Sequence, residues 1–230
     1  TYTMAKEPSV GDNIRGKVSR LLDSELKKTP VKPHVQMLKS LSAADRNSRL
    51  LQASAAIYRA TKDKTSKPTP QQIKDYAAAI DIIAEKRGIK PSNDGKFSDE
   101  NLKRELAPAE LMKIFAAQTL KDHDDEQAAR DQISQDLKQV YGEEQLPEEV
   151  ENIKQVSASQ ANFCDKSDAE FLSLSEDQQN EYLAGLNDLD KERLQELLKK
   201  HQRDLDRELE KNAARINGQR DDPDWAKDDN

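Results

Sequence analysis

Three histidines, one cysteine and a surplus of carboxylates are the side chains from which this 230-residue chain could assemble a reactive centre. The densest arrangement is His123-Asp124-Asp125-Glu126, a nitrogen donor followed by three oxygen donors, the residue types that hold a divalent metal. A hydrolytic centre of that kind needs further ligands converging from other helices. His34 and His201 stand isolated in their own segments, so the stretch reads as a solvated polar run and no metal ligand is predicted. His201 falls on the apolar stripe of the last helix, where a packed structural histidine is expected. Placing Gly95 at the sixth position of a calcium loop puts Lys90 at the first ligand position and Asn101 at the last, so the pattern fails at both ends. Cys164 cannot form an internal disulfide or a zinc site, has no histidine in its own segment to activate it, and reads as a small packing residue. Seven glycines scattered singly leave no phosphate-cradling loop. No catalytic residue, metal or cofactor is predicted.

The His123-Asp124 doublet resembles the metal-binding pair of all-helical phosphohydrolases, and a helical metal-dependent hydrolase around His123 is the enzymatic alternative that this resemblance implies. A second alternative follows from charge. Residues 1–90 carry 18 Lys and Arg against 9 Asp and Glu, whereas the remainder carries 19 against 35. Arg15, Lys17, Arg20, Lys27 and Lys28 crowd the first predicted helix and could contact an anionic partner. Stacking aromatics and an interfacial Trp or Phe are missing there, so nucleic acid and membrane surfaces are not favoured as partners.

The elements that would position these groups are helices throughout. Apolar residues recur at helical spacing between breakers, and no segment alternates over strand length. The first helix is expected over 12–28, with Ile14, Val18, Leu21, Leu22 and Leu26 on one face, stopped by Pro30 and Pro33. A turn over 35–41 leads to Ser42, which caps a helix carrying Leu50, Leu51, Ala55, Ile57 and Tyr58. Thr69, Pro70 and Gln72 form a capping box for a helix ended by Gly88, with Ile73, Tyr76, Ala77, Ile80, Ile83 and Ala84 inward. A short helix follows Phe97, and Pro108 opens a longer one whose polar middle, 121–127, predicts a bend or break before Gly142 ends it. Pro147 starts a segment burying Val150, Ile153 and Val156, and 157–162 reads as loop. Ser175 and Asp190 then cap two successive helices. The last helix, about 190–217, carries Leu194, Leu198, His201, Leu205 and Leu209 on one stripe and is stopped by Gly218.

These elements predict an all-α protein, an antiparallel bundle of about seven to nine helices with a long C-terminal amphipathic helix. The boundaries expected are a basic region 1–90, an acidic region 91–217 that could continue the same bundle, and a disordered acidic tail 218–230. Leu, Ile, Val and Phe make up about a fifth of the chain, which favours thin helical layers over a deep enzyme cleft. No window is long and apolar enough for a transmembrane helix, and a cytoplasmic setting or delivery into a host cytosol is expected. The polar, glycine-poor helical composition resembles regions of bacterial effectors. The function expected is non-catalytic binding of another protein, as scaffold, adaptor or effector-like region, through Leu194, Leu198, Leu205, Leu209 and Trp225, with self-association through the last helix as a variant.

Overall fold

The computed structural model describes residues 31–86, 107–142 and 146–220, together with Arg20. Among them are nine α-helices, two short 3-10 helices and no strand, an all-α architecture as expected. Apart from Arg20, the helix expected over 12–28, the one after Phe97 and the loop at 91–96 lie outside the described residues, as does the part of the tail expected over 218–230 that follows Arg220. The chain divides into two compact units, Thr1–Cys164 and Asp165–Asn230.

In the first unit, α1 (Val31–Ser40) occupies the segment expected to be a turn. Pro33 is the third residue of its described span, and the ring fixes φ at a value that a helix accepts. Val35 and Leu38 are the residues α1 buries. Ser42 accepts from the Asp45 N–H and caps α2 (Ala43–Lys62), as its sequence indicates. This helix is the centre of the unit, packing on α3 (Pro70–Lys86), α4 (Pro108–Asp122) and α5 (Glu126–Tyr141). Its buried residues run continuously from Ala53 to Ile57, which a one-sided stripe could not produce.

Alanine makes that possible. The chain has 24 alanines against 23 leucines. Ala53, Ala55, Ala56 and Ala60 of α2, Ala78 and Ala79 of α3, and Ala116 and Ala117 of α4 are all buried, most of them fully. A methyl group lets neighbouring helix axes approach and carries no rotamer entropy to lose, so a chain poor in large apolar residues still closes a core. Leu50, Leu51, Ile57, Tyr76, Ile83, Leu111, Met112, Ile133 and Leu137 supply the bulk between them.

The capping box of α3 is in place: Thr69 Oγ1 accepts from the Gln72 N–H at 3.1 Å, and Gln72 Oε1 accepts from the Thr69 N–H at 2.9 Å. Its inward face includes Ile82, while Ile80 is only half-buried at the core edge. Pro108 stands in the first turn of α4, and the polar stretch after it breaks the helix at His123–Asp125. Asp125 caps α5 by accepting from the Gln127 and Ala128 N–H groups. Gly142 ends α5 at φ 86°, a conformation that disfavours any side chain. After α6 (Glu148–Glu151), the 3-10 helices Asn152–Gln155 and Ala158–Ala161 bury Val150, Ile153, Val156 and Ala161. The second of these replaces the loop expected at 157–162. Helices from both sides of the charge reversal near residue 91 share this core, because the apolar faces of α4 and α5 cover α2. The compact units part after Cys164.

The second unit holds α7 (Asp168–Leu172), α8 (Glu176–Ala184) and α9 (Asp188–Arg220). Ser167 with Glu170 and Ser175 with Gln178 form capping boxes on α7 and α8. Glu170 is held below the usual carboxylate range by the Ser167 backbone N–H and then by its hydroxyl. Asn187, not Asp190, starts α9: its Oδ1 accepts from the Asp190 N–H, and its amide donates to the Asp190 carboxylate, both at 2.9 Å. Gly218 does not stop α9, which continues to Arg220, since one helical glycine costs only about 1 kcal/mol relative to alanine. Among the described residues of the unit, Phe171, Leu183, Leu186 and Leu194 are the buried apolar ones, with the Phe171 and Tyr182 rings 6.0 Å apart.

Candidate interaction surface

The stripe of the last helix splits into two parts. Leu194 is fully buried, so it belongs to the interior of its own unit and is not available to a partner. Leu197 and Leu198 are half-buried. Beyond them, every side chain from Lys199 to Arg215 is exposed, including Leu205 at 41% and Leu209 at 67%. His201 lies in this exposed stretch, a correction to the packed histidine its stripe position suggested, because amphipathic spacing fixes the face and not what covers it. Trp225 and the basic residues Arg15, Lys17, Lys27 and Lys28 lie outside the described residues; Arg20 is helical and exposed.

The exposed turns hold themselves together locally. Gln202 Nε2 donates to Asp206 at 2.9 Å, and Arg207 stands 3.8 Å from Asp204. Such solvent-facing pairs contribute a few tenths of a kcal/mol each and hold no neighbour. With 33 residues at about 1.5 Å rise, α9 is about 50 Å long.

His123 sits at the exposed corner between α4 and α5, where its Nδ1 accepts from the Asp125 N–H at 3.4 Å. Asp125 spends its carboxylate on the α5 cap. Among the described residues no three His, Cys, Asp or Glu side chains converge in a way that could hold a metal ion.

Two buried carboxylates were not visible from spacing. Asp75 of α3 accepts two hydrogen bonds to Oδ2 and one to Oδ1 from the Arg49 guanidinium of α2, at 2.8 to 3.1 Å. His34 Nε2 of α1 lies 2.6 Å from its Oδ1, and Gln71 donates at 3.0 Å. One carboxylate thus ties three helices, and a buried charge needs such partners. Asp136 of α5 is fully buried, and its Oδ1 accepts from Ser48 and Gln52 of α2 and from Gln132 of its own helix. Its Oδ2 has no hydrogen-bond partner. The partners stand 26 to 88 positions away, apart from Gln71 and Gln132, so no local pattern announces either site.

A third polar cluster joins α2, α5 and α6. Tyr58 donates to Glu149 at 2.9 Å, Arg59 lies 5.4 Å from the Tyr141 ring centre, and Arg59 Nη1 donates to the Val140 carbonyl at 2.6 Å. Burial, then the bond to Glu149, pushes the Tyr58 hydroxyl up to about 12. Burial, with the Tyr58 hydroxyl second, pushes Tyr141 up to about 12.

Compared with known proteins, no family model matches the chain, and no curated protein or solved structure matches it. No helix among the described residues is long and apolar enough to cross a membrane. The buried carboxylates join helices inside a packed core, and among the described residues the two most exposed large apolar side chains, Leu205 and Leu209, lie in the exposed half of α9.

Proposed function

We propose that the chain is a non-catalytic helical protein–protein interaction module, a scaffold, adaptor or effector-like region of a larger chain, that presents the C-terminal half of α9 to another protein. The observation that carries this reading is the pair Leu205 and Leu209 on a helix whose side chains are exposed from Lys199 to Arg215. A single exposed leucine means little, but two at i and i+4 on a preformed helix are the anchors of helix-in-groove recognition. The helix needs no ordering on binding, which lowers the entropic cost of association.

Capture from lysate on the purified chain, at moderate and at high salt, tests the reading. A stoichiometric protein that survives high salt and is lost with the Leu205→Asp, Leu209→Asp double variant supports it. A partner retained by that variant removes α9 from the interface, and nucleic acid or lipid released at high salt would move the function to the basic N-terminal half.

A further inference from the structure

We infer that the exposed face of α9 is covered by α9 of a second copy of this chain, running antiparallel and overlapping from Gln195 to Asn212. The inference rests on the reading of α9 as an interaction surface and names its occupant. The argument comes from the order of charges beside the stripe. Leu198, Gln202, Leu205, Leu209 and Asn212 are spaced 4, 3, 4 and 3, the spacing of a coiled-coil seam. Lys199 and Asp206 flank the seam on one side, His201 and Glu208 on the other. On each flank the nitrogen-bearing side chain precedes the acid by seven residues, and all four are exposed.

An antiparallel copy with Leu198 opposite Leu209 sets Leu205 against Gln202 and brings each Lys199 to the Asp206 of the other copy. The same register brings each His201 to the other copy's Glu208. Two-fold symmetry repeats every pair, as an isologous interface requires. A parallel pair would instead oppose each leucine with itself and leave Lys199 facing the position of Leu194, which is already buried. Only the His201 and Asp206 flanks would then complement one another. The antiparallel arrangement satisfies twice as many flank positions. Gln202 and Asn212 interrupt the apolar seam, and polar seam residues set register at a cost in strength. With Leu198, Leu205 and Leu209 as its apolar contributions, the pair should be weak and concentration-dependent.

Sedimentation equilibrium of the full chain from about 10 µM to about 1 mM tests this, the range being set by that weakness. The expected result is a mass rising from monomer to dimer. Leu209→Asp should weaken it by at least about tenfold while thermal unfolding stays unchanged. Lys199→Glu and Asp206→Lys should each weaken the dimer, and the two together should restore it, because the swap re-pairs opposite charges only in the antiparallel register. A monomer at every concentration overturns the inference, as does a dimer indifferent to Leu209→Asp. A dimer lost with Leu209→Asp but indifferent to Lys199→Glu overturns the antiparallel arrangement. A monomer that still captures a heterologous protein through Leu205 and Leu209 leaves the interaction reading standing and removes only self-pairing.

Discussion

Helix α9 carries six leucines in 33 residues and α2 only two in 20, yet the leucine-poorer helix is the one enclosed by α3, α4 and α5, and α9 is exposed from Lys199 to Arg215. What separates them is the residues that accompany the leucines. In α2 those are Ala53, Ser54, Ala55, Ala56 and Ala60, small enough for neighbours to close on several sides. In α9 they are Lys199, Lys200, Arg203, Asp204, Asp206, Arg207, Glu208, Glu210 and Lys211. Desolvating that many charges without partners would cost far more than two leucines return. In a chain this polar, burial follows the distribution of small residues, and leucine spacing alone does not report it.

The contrast can be broken most sharply by a charge at the centre of α2. Ile57→Asp should destabilise the first unit by more than about 4 kcal/mol, seen as loss of the cooperative thermal transition. A native-like melt would show that α2 is not enclosed. Next in size, Asp75→Ala removes the acceptor shared by Arg49, His34 and Gln71 and should cost about 2–3 kcal/mol in urea unfolding. An effect within 0.5 kcal/mol, about the range of ordinary surface substitutions, would mean that the pin between α1, α2 and α3 holds nothing.

Alkaline pH offers a milder lever on the first unit. Tyr58 and Tyr141 are raised from 10 to about 12, and burial raises Tyr76 as well, so the fold favours their protonated forms. Their contribution is complete below pH 10 and is lost as pH rises toward about 12. Far-UV circular dichroism should show helix loss over that interval. The Tyr58→Phe, Tyr141→Phe double variant should move the onset to higher pH, and an unmoved onset would assign alkaline unfolding to other groups. Gly142→Ala should cost about 1 kcal/mol from its positive φ, with open space around the new methyl. The smallest effect belongs to the exposed helix. Leu205→Asp with Leu209→Asp should leave the unfolding temperature of dilute protein unchanged, and a drop of several degrees would show that these leucines are covered within the chain.

Helix ends were readable because their determinants are local. Ser42, Thr69 with Gln72, Ser175 with Gln178, Pro108 and Gly142 each act within four residues, and the polar run 121–127 breaks its helix as its composition indicates. Pro33 and Gly218 misled in the same way: both lie inside helices, because the fixed φ of proline suits a helix and one helical glycine costs only about 1 kcal/mol. The Asp75 and Asp136 networks were hidden by separation along the chain. Stripe position distinguished neither buried Leu194 from exposed Leu209 nor a packed His201 from a solvated one. Amphipathicity names a face, and only the neighbouring helices decide whether that face is used up.

The uncovered turns of α9 also set a timescale. Their amides are held by backbone hydrogen bonds with little tertiary packing, so hydrogen exchange there proceeds by opening a turn or two at a time. The amides of α2 exchange only when the unit around them comes apart. Two helices of one chain should therefore report on very different events, local breathing in α9 and global unfolding in α2. A bound partner would slow exchange in α9 by the free energy of its own dissociation.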